Sequence, residues 1–403
     1  MNTASLSSNL LTPLHSFPIK VLLIDDQKIV AECVKRMIQD ESDITFNYCS
    51  HPEDVLKMAV EFKPTVILQD LMMPEIDGLL LVKIFRLNAI THEIPIIVLS
   101  SEENPQVKAE AFAVGANDYI VKLPDKLEFI ARIRYHSNAY IRLLERNEAF
   151  QRLAESQKIL QGELAEAAAY VKSVLPLPMK GEIEIDWCFI PSTQLGGDAF
   201  GYHWLDHRYF AIYVSDVCGH GVGAALHAIS VVNVLRSGNL PRANFFDPAS
   251  VLKELNSAFQ MEDHHEMFLT IWYGVYDKEN KQLKYSSGGH PPAILMTGSI
   301  AEDCHVIELK TPGIVIGAFP DSQYVNAICQ IEKFNRLFIF SDGVFEMIKE
   351  DDTVMTFQEF VQLITKIPLR IDLKLTDIVH DLQTIQGKKG FADDFSLLQV
   401  SFD

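Results

Sequence analysis

Leu195-Gly196-Gly197-Asp198-Ala199-Phe200-Gly201-Tyr202-His203-Trp204 and, a few residues on, Ala211-Ile212-Tyr213-Val214-Ser215-Asp216-Val217-Cys218-Gly219-His220-Gly221-Val222-Gly223-Ala224-Ala225 decide how this chain reads. Asp198 follows two glycines and opens an aromatic-rich, strand-like run. Asp216 closes a second such run and leads into a glycine-rich turn. A hairpin between the runs would bring the two carboxylates together. The flanking glycines let the backbone turn tightly and let a ligand approach closely. Clustered Asp oxygens suit a hard cation such as Mg2+ or Mn2+. Taken alone, the two acids read equally well as turn residues, because Gly-Asp is common in loops.

Two downstream segments break that tie. Arg336-Leu-Phe-Ile-Phe-Ser-Asp342-Gly is an apolar strand ending in an acid, and Phe391-Ala-Asp393-Asp394-Phe-Ser-Leu-Leu-Gln-Val places two acids before a last apolar strand. Gly-Gly-Asp, Asp-Val-Cys-Gly-His-Gly, Ser-Asp-Gly and Asp-Asp-Phe-Ser, in this order, resemble the PPM (type 2C) metal-dependent protein phosphatases. The nearest branch is the SpoIIE/RsbU-like one, which acts on phosphoserine of bacterial regulators. The resemblance covers about Leu175 to Asp403, and Gly288-Gly-His290-Pro-Pro matches a further motif of the branch.

That resemblance implies an α-β-β-α sandwich of two antiparallel sheets with two Mg2+ or Mn2+ ions at one end. Asp198 and Asp216 would hold one ion. Asp216, Asp342 and Asp393 would hold the second, with the Val217 carbonyl and waters completing the shells. Asp198, Asp216, Asp342 and Asp393 are thus the expected catalytic set, hydrolysing a phosphate monoester directly with water. Asp394 would orient an outer water or be a surface acid. No Lys or Arg lies between Gly181 and Asp198, where the eukaryotic branch carries an arginine, so the ions would have to carry phosphate binding. Ala199 stands where many relatives have an aromatic residue, with Phe200 as a possible substitute. His220 and His290 could be ligands or acids, but a hard-cation site prefers oxygen, and isolated loop histidines are more often structural. The strand Ile183–Ile190, the buried helix Val222–Leu235 and a strand pair either side of Asp277-Lys-Glu-Asn-Lys complete this reading.

Upstream, Ile19-Lys-Val-Leu-Leu-Ile-Asp25-Asp26 is a short apolar strand ending in two acids, followed by a helical stretch from Ile29 to Ile38. Thr65-Val-Ile-Leu-Gln-Asp70, Ile94-Pro-Ile-Ile-Val-Leu-Ser100 and Asn117-Asp-Tyr119-Ile-Val-Lys122 repeat the pattern of a strand with a polar residue near its end. Alternating strands and helices predict a doubly wound parallel sheet whose functional residues gather at the strand carboxyl ends. The segment resembles the response-regulator receiver domain from about Ile19 to Asn138. The resemblance implies Asp70 as phosphoacceptor. It implies one Mg2+ on Asp25, Asp26, Asp70 and the Met72 carbonyl. Ser100 and Lys122 would contact the phosphoryl group, with Tyr119 at the aromatic switch position. Crowded carboxylates need a cation, and Lys122 can neutralise added phosphate. In Lys122-Leu123-Pro124 the proline comes one residue later than is usual in the family, which puts the expected cis peptide in doubt.

Between the two domains, residues 139–174 hold no proline and a single glycine, Gly162. Leu143, Phe150, Leu153, Leu160, Leu164, Ala167, Val171 and Val174 recur mostly in steps of three, four or seven, with Arg146 and Gln157 interrupting. A helix of roughly 36 residues would extend on the order of 50 Å. It reads as a signalling helix in a parallel dimeric coiled coil, or as one amphipathic helix packed on a domain. Pro176 and Pro178 end it. The expected organisation is a loose polar tail (1–18), a receiver domain (19–138), a coiled-coil signalling helix (139–175) and a phosphatase domain (176–403).

At 403 residues the chain can hold two or three domains, and 48% hydrophobic with 22% charged residues is ordinary for globular protein. A net charge of −19 argues against nucleic acid or an anionic membrane as a main partner. Six cysteines without a Cys-x-x-Cys pair fit free thiols in a reducing cytosol, and the resemblance implies a bacterial, cytoplasmic protein. The thirteen histidines are scattered along the chain, and no zinc site is expected. No apolar run reaches transmembrane length, and no kinase or DNA-binding domain is expected after the last motif. The expected function is a response regulator with serine/threonine phosphatase output. Its partners would be a histidine kinase, a phosphorylated STAS-type anti-anti-sigma substrate and a second copy of itself through the helix. Two competing readings are a non-enzymatic, phosphorylation-gated adaptor, and a receiver that works by contact without being phosphorylated.

Overall fold

The computed structural model describes residues 17–74, 76–122, 124–297, 305–332, 335–349, 352–366, 375–387, 391 and 393–402. Nearly all of the stretch read as a loose tail, and Leu123 with the peptide bonds it forms, lie outside these residues. The chain divides into two compact units, 1–159 and 160–403.

In the first unit, β-branched and leucine-rich runs form five strands: β1 (Ile19–Ile24), β2 (Ile44–Cys49), β3 (Val66–Asp70), β4 (Ile96–Ser100) and β5 (Asp118–Val121). Helices α1 (Lys28–Ile38), α2 (Val55–Phe62), α3 (Gly78–Leu87) and α4 (Pro105–Ala113) alternate with them. The strands pair in parallel in the order β2-β1-β3-β4-β5. Every residue of β3 and β4 is buried, because both faces of the sheet are covered. One face packs Leu22, Ile67 and Val98 with Leu81 and Phe85 of α3; the other packs Leu23, Leu68 and Leu99 with Val34 of α1. Asp77 caps α3 by accepting from Leu79 N, and Asn104 caps α4 by accepting from Gln106 N. A Cβ on Gly78 would stand 2.2 Å from the Asp70 carbonyl, so the turn after β3 closes only with glycine there.

After β5 the chain enters a single helix, α5 (Lys126–Val174), of 49 residues. The last receiver helix and the segment read as a linker are therefore one element. Phe129, Ile133 and Ile141 bury against the parallel sheet. Phe150, Leu153 and Leu160, in the middle of the apolar stripe, are 64%, 55% and 55% exposed. Leu164, Ala167, Val171 and Val174, at the end of the stripe, pack within the second unit.

The second unit is built of antiparallel strands, most of them buried along nearly their whole length because both faces of each sheet are covered. Its strands are β6 (Ile183–Ile190), β7 (Asp198–Trp204), β8 (Tyr209–Val217), β9 (Leu269–Asp277), β10 (Gln282–Gly288), β11 (Ala293–Thr297), β12 (His305–Leu309), β13 (Ala327–Gln330), β14 (Arg336–Phe340) and β15 (Phe395–Phe402). They form two five-stranded sheets, β13-β10-β9-β8-β7 and β12-β11-β14-β15-β6. Phe200, Ile212, Val214 and Trp272 of the first meet Ile185, Leu295, Leu337 and Leu398 of the second in a shared core. Helices α6 (Val222–Ser237) and α7 (Pro248–Ala258) cover the outer face of the first sheet through Ala228, Val231 and Leu255. Helices α8 (Phe357–Lys366) and α9 (Leu375–Gln386) cover the second through Phe360 and Leu382. The result is the α-β-β-α sandwich expected from the sequence.

Candidate functional site

The hairpin of β7 and β8 sets Asp198 directly opposite Asp216, and Asp216 is in turn opposite Thr270 of β9. Alternation along the strands fixes their face. Phe200 and Tyr202, Ile212 and Val214, and Trp272 point into the inter-sheet core, so Asp198, Asp216 and Thr270, two residues on, lie on the same inner face at one end of the sandwich. From the second sheet, Asp342 follows β14, and Asp393 and Asp394 precede β15. Strands β14 and β15 are neighbours, and Ser341 N donates to the Ser396 carbonyl, so these acids emerge side by side.

Asp198 is buried, and neither carboxylate oxygen has a hydrogen-bond partner. Burial, then the charge of Asp216, pushes its pKa well above the usual range, against which the nearby Ser341 and Ser396 hydroxyls act. Burial, then the charges of Asp342 and Asp393, raises Asp216 to about 8. Burial, then Glu346 and Asp393, raises Asp342 to about 6. A buried Asp198 with both oxygens orphaned, together with the half-buried Asp216 and Asp342, each raised by burial and then by neighbouring carboxylates, makes a donor set for divalent cations, since hard ions take oxygen ligands and relieve such repulsion. The residues present therefore fit the expected ions. Among the described residues, Asp25, Asp26 and Asp70 form the set whose ligand atoms all lie within 4.8 Å. The acids of the second unit do not converge that closely; a pair of ions ~3.5–4 Å apart would spread its ligands wider.

The backbone around these acids depends on glycine. Gly219 and Gly221 adopt φ of +89° and +88°, a region that side chains rarely enter. Gly221 N donates to the Leu195 carbonyl and so joins the two glycine-rich loops.

Asp394 is neither an exposed acid nor a free one. It is buried and accepts from Ser192 N (2.7 Å), Ser192 Oγ (2.9 Å) and Gly197 N (2.5 Å). A Cβ on Gly196 would meet its carboxylate at 2.6 Å, and one on Gly343 would meet its carbonyl at 2.1 Å. The motif glycines thus serve close packing around Asp394, a role that sequence reading missed. Asp393 is exposed and accepts from Asp394 N. His220 is exposed on its loop. His290 is buried, shares a 2.7 Å hydrogen bond with Thr270 Oγ1, and is lowered to about 3 by burial, so it is neutral.

In the first unit, Lys122 Nζ lies 2.9 Å from Asp70 Oδ2 and 3.0 Å from Asp25 Oδ2. Burial raises Asp25, with Gln27 N and Lys122 acting against it. Burial opposes the charge on Lys122, but its hydrogen bonds to Asp70 and Asp25 prevail and raise its pKa. Asp26 Oδ1 is buried without a hydrogen-bond partner, which leaves it free for a cation. Met72 is exposed on the following loop, and its N–H donates to Asp70 Oδ1 (3.2 Å). Ser100 Oγ accepts from Glu102 N, and the buried Tyr119 hydroxyl donates to the Glu102 carbonyl (2.7 Å). Ser100 and Tyr119 therefore hold Glu102 of the β4–α4 loop between them, one by its N–H and the other by its carbonyl.

The sequence model described as "Response regulator receiver domain" matches residues 21–134, and that described as "Stage II sporulation protein E (SpoIIE)" matches residues 206–403. "Phosphoserine phosphatase RsbU" of Bacillus subtilis is 29% identical over 204 residues, which is 50% of this chain and 58% of that protein. "Phosphoserine phosphatase RsbP" of the same organism is 29% identical over 189 residues, covering 46% of this chain and 45% of that one. "Response regulator ArlR" of Staphylococcus saprophyticus is 34% identical over 116 residues, 28% of this chain and 50% of that protein. This chain thus spans about half the length of these relatives. The solved "SiaA-PP2C domain of Pseudomonas aeruginosa" shares the fold, with a TM-score of 0.53 at 22% identity, over 62% of this chain and 100% of that one. Among the described residues, no helix is long and apolar enough to cross a membrane.

Proposed function

We propose that this chain, a response-regulator receiver domain joined to a SpoIIE-type PPM phosphatase domain, is a metal-dependent protein serine/threonine phosphatase controlled by phosphorylation of Asp70. The observation that carries the catalytic half is the row of Asp198 and Asp216 on the inner sheet face, with both Asp198 oxygens orphaned and Asp342 acting on Asp216 from the second sheet. Asp198, Asp216, Asp342 and Asp393, with the Val217 carbonyl, would hold two Mg2+ or Mn2+ ions. Bound ions would neutralise phosphate charge and lower the pKa of water enough to make it a nucleophile at neutral pH. The protein's share is to hold the acids aimed and partly closed from bulk water. Asp394 does this by fixing the Gly196-Gly197 loop next to Asp198.

Control would start at Asp25, Asp26 and Asp70, where a Mg2+ ion held with the Met72 carbonyl would assist phosphotransfer from a histidine kinase. Phosphate on Asp70 would compete for Lys122 and draw on Ser100, and so pull on the loop that Tyr119 also holds. Helix α5 runs from beside β5 to Val171, which packs with Leu195, Ala225 and Ile229. A shift of α5 would therefore act on the residue preceding the Gly196-Gly197-Asp198 motif and on α6. The exposed Phe150, Leu153 and Leu160 favour pairing with a second copy through this helix. The substrate would be phosphoserine on a STAS-type anti-anti-sigma protein. Mn2+-dependent hydrolysis of p-nitrophenyl phosphate by the wild type and by Asp342→Ala tests the catalytic half. Loss of activity in the variant is expected; equal rates would remove the assignment.

A further inference from the structure

The inner-face row does not stop at the acids. Asp198 on β7, Asp216 on β8 and Thr270 on β9 occupy successive register positions across three strands. Directly opposed antiparallel residues have Cβ atoms about 4.5–5.5 Å apart on one face, so Asp216 is bracketed by Asp198 on one side and Thr270 on the other. Thr270 is half-buried, and its hydroxyl shares a 2.7 Å hydrogen bond with His290 Nδ1. Which of the two donates depends on the tautomer, but either arrangement fixes the hydroxyl.

His290 reaches this place because of its backbone. Gly289 has φ of +71°, and a Cβ there would meet a Val315 side-chain carbon at 2.5 Å. The left-handed glycine turns the chain out of β10, and His290 lands under Thr270 at the crossing between the two sheets. The ring is 1% exposed; beyond Thr270 its polar neighbour is the Phe340 backbone, and its Nε2 makes no hydrogen bond of good geometry. A buried imidazole with one nitrogen poorly paired is costly. Packing alone would be served better by an apolar side chain of similar size. Its Nδ1 bond goes to the one residue of the row that is not an acid.

The geometry points to Thr270 and His290 as a positioning pair for Asp216, which fixes the side chain beside that carboxylate and so its aim before a divalent ion binds. The branched Thr side chain has restricted χ1, and the imidazole removes its remaining freedom. Asp216 then loses less on ordering when it takes an ion, because its neighbour cannot swing. The pair touches neither substrate nor ion. This inference rests on the phosphatase reading above.

The test uses the full chain stripped of metal and titrated with Mn2+, following the melting temperature of the second unit and, separately, p-nitrophenyl phosphate hydrolysis. Thr270→Val keeps shape and removes the hydroxyl. It should raise the Mn2+ concentration for the half-maximal melting shift by about tenfold, the scale of losing an outer-shell partner. Thr270→Ser should restore it to within about twofold, since the hydroxyl returns. His290→Gln should match Thr270→Val, and the double variant should be no worse than either single one, because the two act as one unit. If Thr270→Val does not fold, Thr270→Ala replaces it. Wild-type Mn2+ response in Thr270→Val, no rescue by serine, or additive losses in the double variant would overturn the pair. A wild type that neither hydrolyses nor shifts with Mn2+ would overturn the phosphatase reading itself, and the pair with it.

Discussion

Replacing Asp216 by Asn should stabilise the metal-free chain. In the unfolded chain an Asp titrates near ~3.9. In the fold, burial and the charges of Asp342 and Asp393 raise Asp216 to about 8. Between those values the folded state keeps a proton that the unfolded state has released, so stability falls as pH rises from about 4 towards 8. Each pH unit in that window costs about 1.4 kcal/mol, so near neutral pH the penalty approaches roughly 4 kcal/mol. Asn has no charge to suppress and escapes it. For a unit of this size, ~1 kcal/mol moves the melting temperature by ~2–4 °C, so the gain is on the order of 10 °C. Calorimetry in EDTA at about pH 5 and about pH 7.5 reads it directly, and the advantage of the variant should grow with pH. Saturating Mn2+ should shrink the variant's lead, because binding to the fold alone adds ~2.7 kcal/mol at a hundred times Kd and the variant should gain less. A variant that melts below the wild type in EDTA at both pH values, or a difference that ignores pH, would refute the reasoning.

Asp394→Ala should unfold at lower urea and lose Mn2+ response, because it strands the Ser192 and Gly197 donors; about 3 kcal/mol is the expected cost. Asp277 is held down to about 2, chiefly by Arg208, which reaches it at 2.8 and 2.6 Å. Its folded pKa lies below the unfolded one, so its contribution is complete above about pH 4 and is lost as pH falls towards 2. Discounted for the partly exposed pair, that is about 1 kcal/mol, and Asp277→Asn should flatten urea midpoints across this window. Leu153→Glu with Leu160→Glu should leave each unit's melting within about 1 kcal/mol of wild type, as exposed positions do, yet shift sedimentation towards monomer. An unchanged sedimentation profile would remove the helix as the pairing surface.

Much of this architecture was legible because strand and acid coincide. Runs such as Val66–Asp70 and Arg336–Phe340 bury their apolar residues and leave a polar group at the end, so pattern and place agree. The pairing of Asp198 with Asp216 followed from two strand-like runs separated by a short polar break. The start of the long helix was not legible. Lys126–Val174 contains no proline, and its cap-type pair Ser137-Asn138 lies inside the helix, where the buried Ser137 accepts from Thr65 instead of ending a turn, so the receiver's last helix runs into the linker unbroken. The stripe also misled in part, since Leu164, Ala167 and Val171 cover α6 while Phe150 and Leu153 remain exposed. The roles of Asp393 and Asp394 could not be told apart from sequence. Adjacent residues at a strand start face opposite ways, and which one turns inward depends on where the ladder of β15 begins. Ser341 and Ser396, which act on Asp198, were visible only as neighbours of the acids.

The central claim is that receiver chemistry controls phosphatase chemistry in one chain. It is tested most directly by Mn2+-dependent dephosphorylation of a phosphorylated STAS protein, with and without beryllofluoride on the receiver. The account expects the rate to change with the phosphoryl mimic and the change to vanish in Asp70→Ala. Turnover that is indifferent to the mimic would contradict it.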